Sequence, residues 1–254
     1  MNTSQDLSGR RAVITGGAAG IGRAIADRLA SLGADIVLLD LEQGLAASST
    51  PDGWRSWAVD VGAAGSLAAQ RAIADELGSV DILVANAGVV PPWRRVAELD
   101  ADEWQRVMAI NTWGVAASLG AFTPALAASG RGSAIVMASI NGYRAHPAQV
   151  LYTASKHAVI GVMRAAALDL GGQGIRVNAL APGPVATEAL RQRIETRAAA
   201  GGPELSEALS AMSADTALGR MVTVEDVANA AAWLAGDGSA GTTGVVLPIE
   251  AGLA

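Results

Sequence analysis

Seven apolar runs of strand length alternate along this chain with longer, Ala-rich stretches of helical length. That alternation restricts the fold to βαβ units built around a parallel sheet. Strands are expected near 11–15, 34–39, 55–59, 80–85, 132–138, 175–180 and 244–249, and helices near 20–32, 41–48, 63–78, 100–128, 149–171, 188–212 and 224–236. Runs such as DIVLLD and SAIVMAS are apolar almost without a break. A strand reads that way when helices cover both faces of its sheet. No Pro-, Gly- or Ser-rich linker and no repeat divides the chain, so residues 1–254 read as a single domain. The stretch 188–221, rich in Ala, Glu and Arg, is longer than a typical connection and is expected to form a lid over a site.

Composition removes several function classes. Over 254 residues, 51% are apolar, ample for a core of that size. The net charge of −6 argues against a nucleic-acid surface, which needs clustered Lys and Arg. With no Cys and two His, neither a disulfide framework nor a metal centre is expected. The polar start MNTSQDLSGRR does not read as a signal peptide, and a soluble, cytoplasmic protein is expected. Val107 to Gly130 carries no charge but contains Asn111, Thr112, Ser118, Thr123 and Pro124, so it reads as a helix buried on several faces rather than a membrane span.

The stretch VITGGAAGIGRAIADRLASLGADIVLLD supplies a strand, a turn carrying Gly16, Gly20 and Gly22, a helix, and a second strand ending at Asp40. Glycines let the backbone approach a pyrophosphate, whose charge lies among the unpaired N–H groups of the helix N-terminus. Three glycines at these offsets would arise by chance about 0.4 times in a chain this glycine-rich, so position carries the weight. They lie at the first strand–helix junction, with an acid about 20 residues on, as a dinucleotide site requires. Asp40 would accept a hydrogen bond from a ribose 2′-hydroxyl and repel a 2′-phosphate. No basic group at Leu41, Ala18 or Ala19 offsets that repulsion, so NAD is favoured over NADP.

A second constellation lies in SINGYRAHPAQVLYTASKH, residues 139–157, which holds both tyrosines, both histidines and the only lysine. Tyr152 and Lys156 are four apart and share one helix face. A phenol is a poor base near neutrality, and a nearby ammonium favours its phenolate. Random placement gives this lysine–tyrosine spacing in about 1% of cases, far more informative than the glycines. Ser139 falls at the C-terminal end of a strand, where open parallel sheets bind ligands, so its hydroxyl can meet a substrate oxygen beside the phenol.

These residues, with Asp60-Val61, Asn86-Ala87-Gly88, Asn111, YTASK at 152–156 and PGPVAT at 182–187, resemble the short-chain dehydrogenases/reductases over essentially the whole chain. The resemblance implies a doubly wound Rossmann-type fold with seven parallel strands in the order 3-2-1-4-5-6-7. It makes Tyr152 the acid/base, Lys156 the group that lowers its pKa and holds the nicotinamide ribose, and Ser139 the orienter of the reacting oxygen. Asn111 would hold a water in a proton relay. Gly16, Gly20, Ile21, Gly22, Asp60, Val61, Asn86, Ala87, Gly88, Pro182, Val185 and Thr187 would line the cofactor, and the assembly would be a tetramer. Independently, the uncharged segment 107–130 and the Ala-rich stretch 157–170 are too apolar for two free helices, so a dimer or tetramer interface is expected to cover them. Two departures stand out: Ala85 precedes Asn86 where members usually carry a second Asn, and Ile249-Glu250-Ala251-Gly252 replaces the usual Val-Asp-Gly-Gly.

Trp93, Arg94 and Arg95 after the fourth strand, and Tyr143 and His146 between Ser139 and Tyr152, are candidates for substrate contact. Their mixture of aromatic and polar groups suits a sugar, polyol or hydroxy acid slightly better than a steroid or long acyl chain. The expected activity is NAD-dependent interconversion of a secondary alcohol and a ketone. Two alternatives remain at this stage: a dinucleotide-binding regulatory protein without turnover, and an NAD-independent lyase or epimerase on the same scaffold.

Overall fold

A computed structural model describes residues 6–199 and 201–253. Among them, seven strands form one parallel sheet: β1 (Arg11–Thr15), β2 (Asp35–Asp40), β3 (Arg55–Ala58), β4 (Ile82–Ala85), β5 (Ser133–Met137), β6 (Arg176–Pro182) and β7 (Val246–Ile249). Their order is β3-β2-β1-β4-β5-β6-β7, as the resemblance implied. Strand order reverses between β1 and β4, which opens a crevice beyond the carboxyl ends of those strands.

The helices are α1 (Gly20–Ser31), α2 (Glu42–Ala47), α3 (Ser66–Leu77), α4 (Ala101–Met108), α5 (Gly114–Ser129), α6 (Val150–Gly171), α7 (Glu188–Ala199), α8 (Leu205–Ala214) and α9 (Val224–Ala235). They cover both sheet faces because successive strand residues point to opposite sides. On β1, Val13 joins a cluster with Leu83, Val136, Phe122 and Leu126, whereas its neighbours Ala12 and Ile14 join another with Ile25, Leu29, Val227 and Leu234. Each fully buried Leu or Ile contributes roughly 1.5–3 kcal/mol relative to exposure, so two complete layers hold the strands in place. In α1 the buried set Gly22, Ile25, Ala26 and Leu29 follows helical spacing, and the chain leaves the helix through Gly33 at φ +94.

The uncharged segment 107–130 is an internal helix. Val107, Val115, Leu119, Phe122 and Leu126 are buried, α5 packs on α3, and among the described residues no helix is long and apolar enough to cross a membrane. Between α4 and α5 the backbone makes one π turn, Ala109–Trp113, without leaving the helical path.

One expected element is corrected. The stretch 188–212 is two helices, α7 and α8, because Gly201, at φ +89, Gly202 and Pro203 fall between them. Proline lacks the N–H that would continue the ladder, and it keeps the preceding residue out of the helical region. The C-terminal departure is accommodated at a cost. Ala251 adopts φ +56, a left-handed conformation that costs a residue with a Cβ roughly 1–2 kcal/mol. The carbonyls of Ala251 and Gly252 accept hydrogen bonds from Leu218 and Ala217 at 3.1 and 2.9 Å, which ties this tail to the end of the 188–221 segment.

Candidate active site

The glycine turn follows β1 and is closed by contacts too tight for side chains. A Cβ on Gly16, itself at φ +63, would lie 2.8 Å from the Ala87 Cα, and one on Gly22 would lie 2.1 Å from the Gly16 carbonyl oxygen. Asn86 straps the turn from the end of β4: its Nδ2 donates to the Thr15 and Gly16 carbonyls at 3.0 and 2.9 Å. Thr15, which sequence reasoning missed, completes the strap by accepting from the Asn86 and Ala87 N–H groups at 3.0 and 3.1 Å. Its signal was weak because a threonine ending a strand is ordinary.

Among the described residues no side chain caps the N-terminus of α1. Its first N–H groups therefore remain available to an anion, and the bare glycine surface beside them fits a dinucleotide pyrophosphate. Asp40 lies at the end of β2, its carboxylate accepting from the Ala18 and Leu41 N–H groups at 2.8 and 2.7 Å. A carboxylate has about four acceptor positions, so a ribose hydroxyl can still be accepted. Asp60 is exposed and accepts from the Gly62 N–H at 2.9 Å, while Val61 is buried against Gly114. Ala85, the departure before Asn86, is buried in β4 among apolar neighbours.

Asn111 sits in the π turn and is fully buried. Its Nδ2 donates to the Val89 carbonyl at 2.9 Å and to Ser155 Oγ at 3.1 Å, and its Oδ1 accepts from the Val89 N–H at 2.8 Å. Both amide protons are thus spent on joining β4's following loop to α6. A π turn shifts the hydrogen-bond register of a helix by one residue, which the spacing of the sequence does not announce.

Ser139, Tyr152 and Lys156 converge at the end of β5. Ser139 follows the strand with extended backbone, Oγ accepting from the Asn141 N–H at 3.2 Å, and it hydrogen-bonds the Tyr152 phenol. Lys156 Nζ donates to the Met137 carbonyl at 2.8 Å and lies 5.8 Å from the centre of the Tyr152 ring. A Cβ on Gly88 would come within 3.7 Å of that Nζ, so the cofactor groove runs directly into the catalytic candidates.

The titration of this pair differs from the simple picture of an ammonium lowering a phenol. Burial pushes the Tyr152 phenol up, opposed by the Ser139 hydrogen bond and by the positive charge of Arg193. Burial also brings Lys156 down from 10.5 to about 8. Between those two values the unfolded chain binds the proton that the folded chain has lost, so stability rises with pH across that window. At neutral pH a shift of this size is a penalty of about 3 kcal/mol. Replacing Lys156 by Met removes it and forfeits a hydrogen bond of about 1 kcal/mol. Lys156→Met is therefore expected to raise unfolding free energy by about 2 kcal/mol at pH 7, with the advantage gone above pH 10.5. Urea unfolding of both proteins across that range measures it, and a variant less stable at pH 7 contradicts the sign.

The substrate candidates separate. Trp93 carries two guanidinium groups against its ring, Arg193 at 4.6 Å and Arg197 at 4.9 Å from the centroid. Arg94 instead ion-pairs with Glu103 at 2.8 Å, and its backbone N–H donates to the Ala148 carbonyl at 2.8 Å. Arg95 is exposed, its backbone N–H donating to Glu98 at 3.0 Å. Tyr143 donates to Glu250 at 2.8 Å, and burial and this carboxylate together push its phenol up to about 12. His146 keeps a buried Nδ1 that has no hydrogen-bond partner among the described residues. Pro182 ends β6, Val185 bridges to Val222, and Thr187 Oγ1 accepts from the Leu190 N–H at 3.3 Å at the start of α7. Arg193 is the second residue that sequence reasoning missed, since nothing marks it among the arginines of 188–221 until α7 is placed over Trp93.

Sheet order, glycine cradle and strand-end side chains together define a Rossmann-type dinucleotide-binding protein. Residues 16–254 match the family model described as Enoyl-(Acyl carrier protein) reductase. The chain is 37% identical over 250 residues to cis-4-hydroxycyclohexanecarboxylate dehydrogenase of Sinomonas cyclohexanicum, covering 96% of each chain. It is 33% identical over 267 residues to an uncharacterized NAD-dependent oxidoreductase of Mycobacterium tuberculosis, covering 97% of this chain and 96% of that one. The structure of carveol dehydrogenase from Mycobacterium avium in complex with NAD superposes with a TM-score of 0.85 at 34% identity, covering 97% and 98%. The chain belongs to the short-chain dehydrogenases/reductases.

Proposed function

We propose that this protein is an NAD-dependent oxidoreductase that interconverts a secondary alcohol and a ketone on a polar substrate. The observation that carries the reading is the meeting of Ser139, Tyr152 and Lys156 at the end of the groove that begins at the glycine turn. In oxidation, Tyr152 Oη takes the hydroxyl proton, and Ser139 Oγ holds the same oxygen so that proton loss and carbon–hydrogen cleavage share one geometry. Bound NAD supplies the acceptor for the hydride that leaves the carbinol carbon. Lys156, fixed by the Met137 carbonyl, is positioned to hold the nicotinamide ribose. Asn111 braces Val89 and Ser155, so its amide protons are committed to the protein rather than to a relay water.

The remaining roles follow the groove. Gly16, Gly20, Ile21 and Gly22 cradle the pyrophosphate, and Asp40 accepts from the adenosine ribose and disfavours NADP. Asp60 and Val61 border the adenine, Asn86 to Gly88 form the groove wall, and Pro182, Val185 and Thr187 border the nicotinamide. Residues 188–221 serve as the lid within a single domain spanning the chain. The similarity to a dehydrogenase of a hydroxycyclohexanecarboxylate supports a hydroxy acid among the polar classes. A homo-oligomer, dimer or tetramer, is proposed through α6, whose Leu168 is 85% exposed; segment 107–130 contributes less than its composition suggested, because most of its apolar side chains are used inside the chain. Sedimentation as a monomer would contradict the oligomer.

The experiment that tests the activity follows NADH formation with sugars, polyols and hydroxy acids, each offered with NAD and with NADP. Turnover with NAD, and a kcat/KM with NADP lower by about a hundredfold or more, is expected. No turnover with either cofactor, despite tight NADH binding, would instead indicate a regulatory protein.

A further inference from the structure

Helix α7 carries charge that, among the described residues, no carboxylate neutralises. Arg193 and Arg197 are four residues apart on α7, hence on one face, and both guanidinium groups rest on the Trp93 ring. Like charges at this spacing repel by a few tenths of a kcal/mol, and an aromatic face returns about 0.5–1 kcal/mol per cation, which explains the stacking but leaves two positive charges in place. Among the described residues neither arginine has a carboxylate within ion-pair distance, in contrast to Arg94 next door, which Glu103 neutralises. Arg193 is also half-buried, and a desolvated guanidinium is stabilised by an anionic, bidentate partner.

The position of this pair selects the partner. Trp93 is held beside the start of α6 by the Arg94 N–H to Ala148 carbonyl bond, four residues before Tyr152. The charge of Arg193 is felt at the Tyr152 phenol, which places it on the reacting side of the groove. The pyrophosphate cradle lies elsewhere, at the N-terminus of α1.

We propose that Trp93, Arg193 and Arg197 form an anion subsite of the substrate pocket, so that the alcohol oxidised at Tyr152 carries a carboxylate. The carboxylate is received by the guanidinium planes, Arg193 first, while the indole supports them from beneath and packs on the apolar part of the ligand. This subsite rests on the dehydrogenase reading for its place in catalysis, but binding can be measured without turnover.

The test titrates cyclohexanecarboxylate and cyclohexanecarboxamide calorimetrically into the protein saturated with NADH. The carboxylate is expected to bind the wild-type complex at least about tenfold more tightly than the carboxamide. In Arg193→Gln that preference falls to about twofold with NADH affinity unchanged, which also shows that the variant is folded; Arg193→Lys retains part of it. Equal or absent binding of the two ligands to the wild type overturns the subsite, and so does an undiminished preference in Arg193→Gln. Loss of NADH affinity in that variant overturns it too, by assigning the guanidinium to the cofactor. A carboxylate preference abolished by Arg193→Gln, in a protein that oxidises no alcohol, supports the subsite and refutes the dehydrogenase reading alone.

Discussion

Tyr152→Phe is expected to lower kcat by at least about a thousandfold, within the range that general acid–base catalysis supplies, and to leave NADH affinity within about threefold of the wild type. The substitution removes only the phenolic oxygen. The ring keeps its packing, while the Ser139 hydroxyl loses its partner and the carbinol proton loses its acceptor. Two neighbouring groups are committed elsewhere. Tyr143 is engaged with Glu250, and its phenol is pushed to about 12. Lys156 donates to the Met137 carbonyl and faces the ring of Tyr152. Steady-state kinetics together with NADH fluorescence titration read both quantities, and retained turnover would refute the assignment of Tyr152.

The second large effect is expected at Gly22. An added methyl would sit 2.1 Å from the Gly16 carbonyl oxygen and 2.5 Å from Asn86 Nδ2, inside the closest approach that either neighbour permits. The turn and its Asn86 strap would both have to move, although each is fixed by hydrogen bonds to the end of β1. Overpacking of this kind costs about 1–3 kcal/mol or more. Gly22→Ala is therefore expected to lower Tm by about 5 °C or more and to weaken NADH binding by at least about tenfold. Gly53→Ala is the control, because Gly53 precedes β3 at the amino end of the sheet, away from the cradle, and its Cβ meets nothing within 4 Å although its φ is +85. That variant should lose only the left-handed backbone penalty of roughly 1–2 kcal/mol and bind NADH as the wild type does. Thermal melts and titrations of the pair decide the point, and equal NADH affinities of the two variants contradict the cradle.

The parts of the site that could be read in the sequence obey local periodicity. Strand β2 is a continuous apolar run ended by Asp40, and the Tyr152–Lys156 pair shares a face because four residues make about one helical turn. Sheet order was not contained in these runs. It came with the family resemblance, because strand pairing is non-local.

The parts that escaped are set by competition or by distance along the chain. Whether Lys156 or burial governs the Tyr152 phenol depends on desolvation, which no spacing encodes, and here burial is the larger influence. Asn111 was expected to hold a relay water, but the Val89 carbonyl and Ser155 Oγ take its amide protons. Arg94 and Arg193 are alike as sequence, yet Glu103 neutralises one while Trp93 supports the other. The break between α7 and α8 was legible in Gly201-Gly202-Pro203, but the Ala-rich helical composition on either side outweighed it.

Hydride transfer from the carbinol carbon to the nicotinamide can be traced with an isotope. An alcohol turned over by the protein is prepared with deuterium at the carbinol carbon and oxidised with NAD, and the reduced cofactor is analysed by mass spectrometry. One deuterium is expected in each NADH formed, with the ketone in equal amount. Unlabelled NADH, or product formed without any NADH, would contradict it.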